Sequence, residues 1–186
     1  MSKIIVSETV SLDGFFEGPN KEINWHVVDE EFIKYAEDML NSVKTILFGR
    51  LTYELMANYW QKDFVIKNDP IVAGKMNNLP KIVFSRTLST VEWNNSRLVK
   101  EISAEEVSRA KQQSAGDMVI LGSGILVSTL AKLGLIDEYR IIVTPVILGN
   151  GNPLFRDIDE KLTLKLLKAR ALKSGNVILY YQPDNK

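Results

Sequence analysis

The 186-residue chain contains no cysteine, which removes disulfide scaffolds, thiolate metal sites, cysteine-held iron–sulfur clusters and any cysteine nucleophile or redox couple. It contains a single histidine, His26, so a zinc site or a Ser-His-Asp triad would have to be built on that one residue. Net charge is missing as well. The 23 Lys and Arg balance the 23 Asp and Glu, leaving no global field to draw the chain to a nucleic-acid backbone. Long apolar runs are also absent: the most apolar stretch, residues 141–148, holds Thr144 and Pro145 and falls far short of the ~20 residues that cross a bilayer. The opening MSKIIVSETV has Glu8 inside its apolar stretch and no small-residue cleavage site. It reads as a first strand rather than a signal peptide, and a cytoplasmic protein is expected.

What is present describes an ordinary globular domain, with 45% hydrophobic and 25% charged residues and a length that suits one unit over residues 1–186. Residues 3–10 are rich in β-branched side chains and run into the Asp13-Gly14 turn, as a strand entering a loop does. From Asp29 the spacing becomes helical: Phe32, Ala36, Met39 or Leu40, and Val43 share a face, and Asp29, Glu30 and Glu31 sit where the helix dipole favours acids. Residues 43–48 read as a buried strand closed by Gly49. A helix then starts near Arg50 and dissolves into the polar stretch 61–70. Residues 81–84 predict another strand, followed by an irregular segment around Trp93, and Ser103 with Glu106 has the spacing of a capping box. Residues 117–121 predict a strand, Gly122-Ser123-Gly124 a glycine turn, and residues 125–133 a helix ending at Gly134. Residues 138–148 read as one long strand in which Pro145 demands a bulge or an unpaired position. A C-terminal hairpin turns at Ser174-Gly175-Asn176, with a bulge near Leu166 and Leu167. This order predicts an α/β fold whose sheet is parallel at its centre and carries an antiparallel hairpin on one edge.

Ligands of such sheets bind outside the carboxyl ends of the strands, where loops feed helix N-termini with free N–H groups. Three loops there carry suitable residues. In Gly49-Arg50-Leu51-Thr52 the guanidinium can meet a phosphate bidentately and the threonine adds a hydroxyl. Ser85-Arg86-Thr87 offers two hydroxyls and a second guanidinium. Gly122-Ser123-Gly124 lets backbone approach a pyrophosphate, although Val127 stands where the full G-x-G-x-x-G fingerprint has its last glycine. Together they predict a phosphorylated nucleotide on one sheet edge. A fourth segment, residues 11–30, includes Asp13, Trp25, His26, Asp29 and Glu30 and is long enough to act as a lid. Trp25 there is either a core plug or a site residue, and His26 reads as a loop histidine. Asp29 and Glu30 either complement the helix dipole or place a carboxylate against a substrate ring nitrogen.

The succession SLDGFFEGP, NW before an acidic helix start, LFGRLTYE, KIVFSR, ILGSGILVSTLA and IVTPVILGNGNPLF resembles the dihydrofolate reductase-like superfamily. It is most similar to the reductase domain of the bifunctional riboflavin-biosynthesis deaminase/reductase and its free-standing bacterial relatives. The resemblance covers essentially the whole chain. It implies a three-layer αβα fold with a mixed sheet and an NADPH-dependent reductase acting on a pteridine-like, pyrimidine-like or other small conjugated substrate. Gly49, Arg50 and Thr52 match the loop for the cofactor phosphates, Ser85 and Arg86 the 2′-phosphate turn, and Gly122, Ser123 and Gly124 the turn under the pyrophosphate. Thr144 matches a substrate-side strand position, and Asp13 belongs to the SLDG element on that side. Trp25 matches the tryptophan near the nicotinamide, and Asp29 or Glu30 falls near the active-site carboxylate of true dihydrofolate reductases. With the apolar final strands, the resemblance also implies a homodimer, and the lack of cysteine with a single histidine leaves no metal expected. The alternative is a nucleotide-binding protein of the same fold without turnover.

Overall fold

The computed structural model describes residues 2–184. Along them the chain runs β1 (Ile4–Ser11), β2 (Phe15–Glu17), α1 (Glu30–Ser42), β3 (Thr45–Gly49), α2 (Arg50–Trp60), α3 (Asp63–Asn68), α4 (Pro70–Asn78), β4 (Lys81–Phe84), β5 (Ser96–Val99), α5 (Ala104–Gln113), β6 (Met118–Ile120), α6 (Gly124–Lys132), β7 (Glu138–Thr144), β8 (Asn152–Pro153), β9 (Leu164–Ala171) and β10 (Val177–Pro183). Among the described residues eight strands form one sheet in the order β5-β4-β3-β6-β1-β7-β10-β9, and β2 pairs with β8 apart from it. The pairings from β5 to β7 are all parallel, and β10 runs against both β7 and β9. Strands β1, β3 and β6 are buried along their whole length, as strands covered on both faces must be.

The two faces are covered by different helices. Val107 and Ala110 of α5 and Leu126, Val127 and Leu130 of α6 pack with Ile4, Val6, Val10 and Ile120 on one side. Tyr35, Met39 and Leu40 of α1, Tyr53 of α2 and Val72 and Met76 of α4 pack with Ile5, Phe48 and Val83 on the other. Two cores flanking one sheet make the expected three-layer αβα fold. Helix α1 starts where its sequence says it should: Asp29 Oδ1 accepts from the Phe32 N–H at 2.8 Å, an N-cap of the kind whose loss costs about 1 kcal/mol.

Three expectations are corrected. The polar stretch after α2 is not a loop, because Asp69 caps α4 through the Val72 N–H at 3.1 Å and Pro70 occupies the first helical turn; Asp-Pro is a helix-start pair that the polar composition masked. The irregular segment around Trp93 leads into the edge strand β5 and is itself a plug. Its indole stacks on Phe48 at 6.0 Å and donates to Asn77 Oδ1 at 2.7 Å, while the Lys81 ammonium beside it donates to the carbonyls of Asn77, Leu79 and Asn94. The long strand over residues 138–148 stops at Thr144. Strand β7 is paired on both sides, so Pro145, with no N–H, cannot extend it. The hairpin bulge is where the sequence puts it: Tyr180 faces Lys168 and Tyr181 faces Leu166, leaving Leu167 as the extra residue. Among the described residues no helix is long and apolar enough to cross a membrane.

Candidate functional site

The carboxyl ends of the parallel strands lie along one edge, which from β4 to β10 passes Ser85, Gly49, Gly122, Ser11, Thr144 and Asn176. From β1 the chain leaves toward the face covered by α1, whereas from its neighbour β6 it leaves toward the face covered by α6. Adjacent loops therefore part, and a crevice opens between them at the strand-order switch.

On one side of this crevice the β3–α2 and β6–α6 connections touch. A Cβ on Gly49 would lie 2.5 Å from Ser123 Oγ, and one on Gly122, whose φ is +82°, would lie 2.7 Å from Thr52 Cγ2. Both glycines are required by that approach. Ser123 is held at φ 111°, a region that side chains rarely enter, and its hydroxyl faces the Leu126 N–H at 3.5 Å; such strain costs about 1–3 kcal/mol and gathers at functional sites. The Gly122 N–H is turned inward, donating to the buried carboxyl of Glu8. The amides of Gly124 and Ile125, in the first turn of α6, have no acceptor within the helix. Arg50 pairs with Glu54 at 3.1 Å on the exposed side of α2. Ser85 Oγ accepts from the Thr87 and Leu88 N–H groups at 3.2 and 3.0 Å, building the turn that projects Arg86 into solvent.

On the other side, β1 changes character halfway. Ser7, Thr9 and Ser11 alternate on the α1 face and all are buried. Ser7 Oγ and Tyr35 Oη share a hydrogen bond at 2.8 Å, and Ser11 Oγ accepts from the Phe15 N–H. Thr144 is fully buried and its hydroxyl has no hydrogen-bond partner among the described residues. Asn176, one step beyond the paired Val143 and Val177, donates through Nδ2 to Val27 O at 2.8 Å and leaves Oδ1 buried without a partner. Two orphaned polar atoms thus sit at the end of β7 and in the turn just before β10, an arrangement that needs an explanation.

Residues 11–30 are tied down at several points. Asp13 is exposed, and its carboxylate accepts from the Leu148 and Gly149 N–H groups at 3.1 and 2.7 Å, joining the loop after β1 to the loop after β7. The Ser11 hydroxyl first, and these amides after it, hold its pKa below the usual carboxylate value. Trp25 donates from its indole to Glu22 O at 3.1 Å and meets the His26 ring edge-on at 4.4 Å. Burial pushes His26 down to about 4. Asp29 is committed to its cap: the Phe32 N–H, with Ser174 adding to it, lowers its pKa and keeps it ionised. Glu30 is exposed one residue on.

The structure therefore gathers Gly49, Arg50, Thr52, Ser85, Arg86 and Gly122 to Gly124 on one half of the edge, and Thr144 with Ser7, Thr9 and Ser11 on the other. Asp29 and Glu30 stay at the start of α1, against the 172–176 turn, where Glu31 accepts from the Lys173 N–H at 2.7 Å. Sequence reading missed Glu8, the polar face of β1 and Asn176. The alternation of Ser7, Thr9 and Ser11 inside an otherwise apolar first strand was the available signal.

Comparison with known proteins agrees with this geometry. Residues 2–178 match the RibD C-terminal domain family. The chain is 34% identical over 179 residues to the uncharacterized protein YyaP of Bacillus subtilis (strain 168), covering 96% of this chain and 94% of that one. Among solved structures it is similar to a putative riboflavin biosynthesis protein from Shewanella sp. PV-4, with a TM-score of 0.78, 22% identity and 99% of each chain covered. It also resembles dihydrofolate reductase from Enterococcus faecalis, solved with NADP(H), with a TM-score of 0.67, 15% identity and 98% and 96% of the two chains covered. With its sheet order, its crevice and a family match over nearly its whole length, the chain belongs to the RibD C-terminal domain family.

Proposed function

We propose that this protein is an NADPH-dependent reductase that transfers hydride to a pteridine-like, pyrimidine-like or other small conjugated heterocycle. The observation that carries the reading is the division of one sheet edge into a cationic, glycine-built half and a buried neutral polar half that meet at the crevice. The donor set of the first half fits a phosphorylated dinucleotide: the guanidinium groups of Arg50 and Arg86, the Thr52 hydroxyl and the Gly124 and Ile125 amides. A solved neighbour of the same fold carries NADP(H), which supports the same choice here. When bound, NADPH supplies the hydride.

The chain's own contribution is to bind, orient and exclude water. Trp25 and His26 lie on the lid, and the Asn176 bond to Val27 fastens that lid to the turn before β10. The Thr144 hydroxyl can donate to a ring carbonyl and Asn176 Oδ1 can accept from a ring N–H, a pairing that suits the neutral amide edge of a heterocycle. Asp29, ionised and occupied, is unsuited to act as a general acid at neutral pH, and the proton that accompanies hydride comes from solvent. A homodimer fits the bare outer edge of β9, which exposes Leu166 and Leu167.

A second reading, nucleotide binding without turnover, is favoured by the same commitment of Asp29. Titrating the protein into NADPH and following nicotinamide fluorescence tests the cradle, and loss of nicotinamide absorbance on adding dihydropteridines and aminouracils tests turnover. Absence of binding overturns the proposal. Binding without oxidation by any such substrate favours the second reading.

A further inference from the structure

Glu8 has no place in the mechanism so far, yet it stands at the centre of the site. It lies on β1 between Val6 and Val10, on the face packed against α6, and the residue is 8% exposed. Its carboxyl reaches across the crevice: the Gly122 N–H of the β6–α6 turn donates to Glu8 Oε1 across 114 residues of sequence. That turn is the most contorted backbone at this edge, with φ +82° at Gly122 and 111° at Ser123. The acceptor on Glu8 holds in place the peptide that begins this contortion.

The surroundings explain which form of Glu8 does so. Val6, Val10, Ile120, Leu126 and Ile141 belong to the core cluster on the sheet face where Glu8 lies. From β6 and α6 no titratable group faces it, since β6 is Met-Val-Ile and the buried residues of α6 are apolar or Ser128. From β7 the titratable side chain on this face is Tyr139, itself pushed up to about 12 by burial. At the rim the charged group is Arg50, next to Gly49 and paired with Glu54. Burial pushes the Glu8 carboxyl up to about 8, against the smaller effect of the Gly122 N–H. A neutral acid under the turn adds no charge to a place meant for anions.

Resting on the assignment of the Gly122–Gly124 turn to the cofactor pyrophosphate, we propose that Glu8 is a positioning residue that holds this turn and couples cofactor binding to the uptake of a proton. An anion seated on the turn disfavours the carboxylate beneath it, as one like charge disfavours another. Binding therefore draws a proton onto Glu8 from solvent, and affinity falls as pH rises through its titration. No bond to the cofactor is required of it.

The test is NADPH affinity between pH 6.5 and 9.5 for the wild type, Glu8→Gln and Glu8→Leu, with calorimetry at pH 8.5 in two buffers of different ionisation enthalpy. The wild-type Kd should rise about tenfold over the range, the equivalent of one pKa unit between free and bound states, with net proton uptake on binding. Glu8→Gln, which still accepts from Gly122, should match the wild type at pH 7, lose the pH dependence and take up no proton through this site. Glu8→Leu should bind weakly at every pH. An unchanged pH profile and proton uptake in Glu8→Gln would overturn the inference. A cofactor-free readout separates this from failure of the reductase reading: the Gly122 amide resonance should titrate near pH 8 in the wild type and not in Glu8→Gln. A Gly122 amide that does not titrate refutes the coupling whether or not NADPH binds, and a titrating amide in a protein that ignores NADPH refutes the cofactor assignment.

Discussion

Arg50 is the sharpest handle on cofactor choice because the structure shows what it must give up. Its guanidinium pairs with Glu54 at 3.1 Å, and the two side chains are 41% and 43% exposed. An exposed i,i+4 pair of this kind is worth about 0.3–0.5 kcal/mol. A charge-assisted hydrogen bond to a phosphate is worth about 1.5–3 kcal/mol. Swapping one for the other leaves a net gain of about 1–2.5 kcal/mol, so Arg50→Ala should weaken NADPH about 5- to 70-fold. Arg50 follows β3, the neighbour of the β4 strand whose turn carries Arg86, so of the cofactor phosphates we assign it the 2′-phosphate, and NADH, which lacks that group, should be nearly unaffected. The opposing variant, Glu54→Gln, removes the competitor and should tighten NADPH about twofold, a gain that shrinks in high salt as the surface pair is screened. Fluorescence titrations of both nucleotides against all three proteins, at low salt and at ~0.15 M, measure these ratios. Equal losses of NADPH and NADH in Arg50→Ala, or weaker NADPH binding by Glu54→Gln, would refute the assignment of Arg50 to the 2′-phosphate.

Three further outcomes are expected. Asp29→Asn and Glu30→Gln should keep kcat within a few-fold of wild type across pH 5 to 8, since a cap and an exposed side chain donate no proton; a loss of about 100-fold in either, measured by steady-state absorbance, would restore a carboxylate to catalysis. His26 titrates at about 4 when folded against 6.5 when free, so the unfolded chain binds the extra proton and stability declines as pH falls from 6.5 toward 4. His26→Gln should flatten that part of the denaturation profile, and an unchanged acid limb counts against a buried neutral imidazole. Light scattering at micromolar concentration should give twice the chain mass, and a monomeric mass would show that β9 is left bare or shielded within the protomer.

The elements legible in the sequence are those whose signals are local. Asp29 followed by the face of Phe32, Met39 and Leu40 gives α1 because capping and periodicity act within a few residues. The out-of-phase leucines 166 and 167 give the bulge for the same reason. The helix α4 was hidden because Asp69-Pro70 lies inside a stretch whose polar composition suggests a loop, and three of its nine residues reach the core. Strand β5 was hidden because its Val99 is buried while Ser96, Arg97 and Leu98 stay partly or fully open at the sheet edge. Pro145 was read correctly as an obstacle, yet its effect depended on β10 occupying the second side of β7, which no local pattern states.

The same distinction divides the site. Its phosphate half could be read because each part is a short string just after a strand, with glycine to admit backbone and arginine to meet an anion. The other half is assembled from residues far apart in the chain: Asp13 with Gly149, Glu17 with Asn152, Val27 with Asn176 and Glu8 with Gly122. Every one of these bonds ties the first thirty residues to the last third of the chain or to the β6–α6 turn. Glu8 stands on β1 itself, which lies between β6 and β7, and the other three follow that strand in the chain. Residues Ser7 to Ser11 of β1 must serve three tasks at once, pairing with β7 beyond the end of β6, lining the crevice with hydroxyls and anchoring the glycine turn. A strand that served the core alone would repeat Ile4 to Val6. The Ser, Glu and Thr that replace that pattern in a fully buried strand would cost stability unless partnered, and the partners found, Tyr35, Gly122 and Phe15, stand around the crevice where the substrate is proposed to bind.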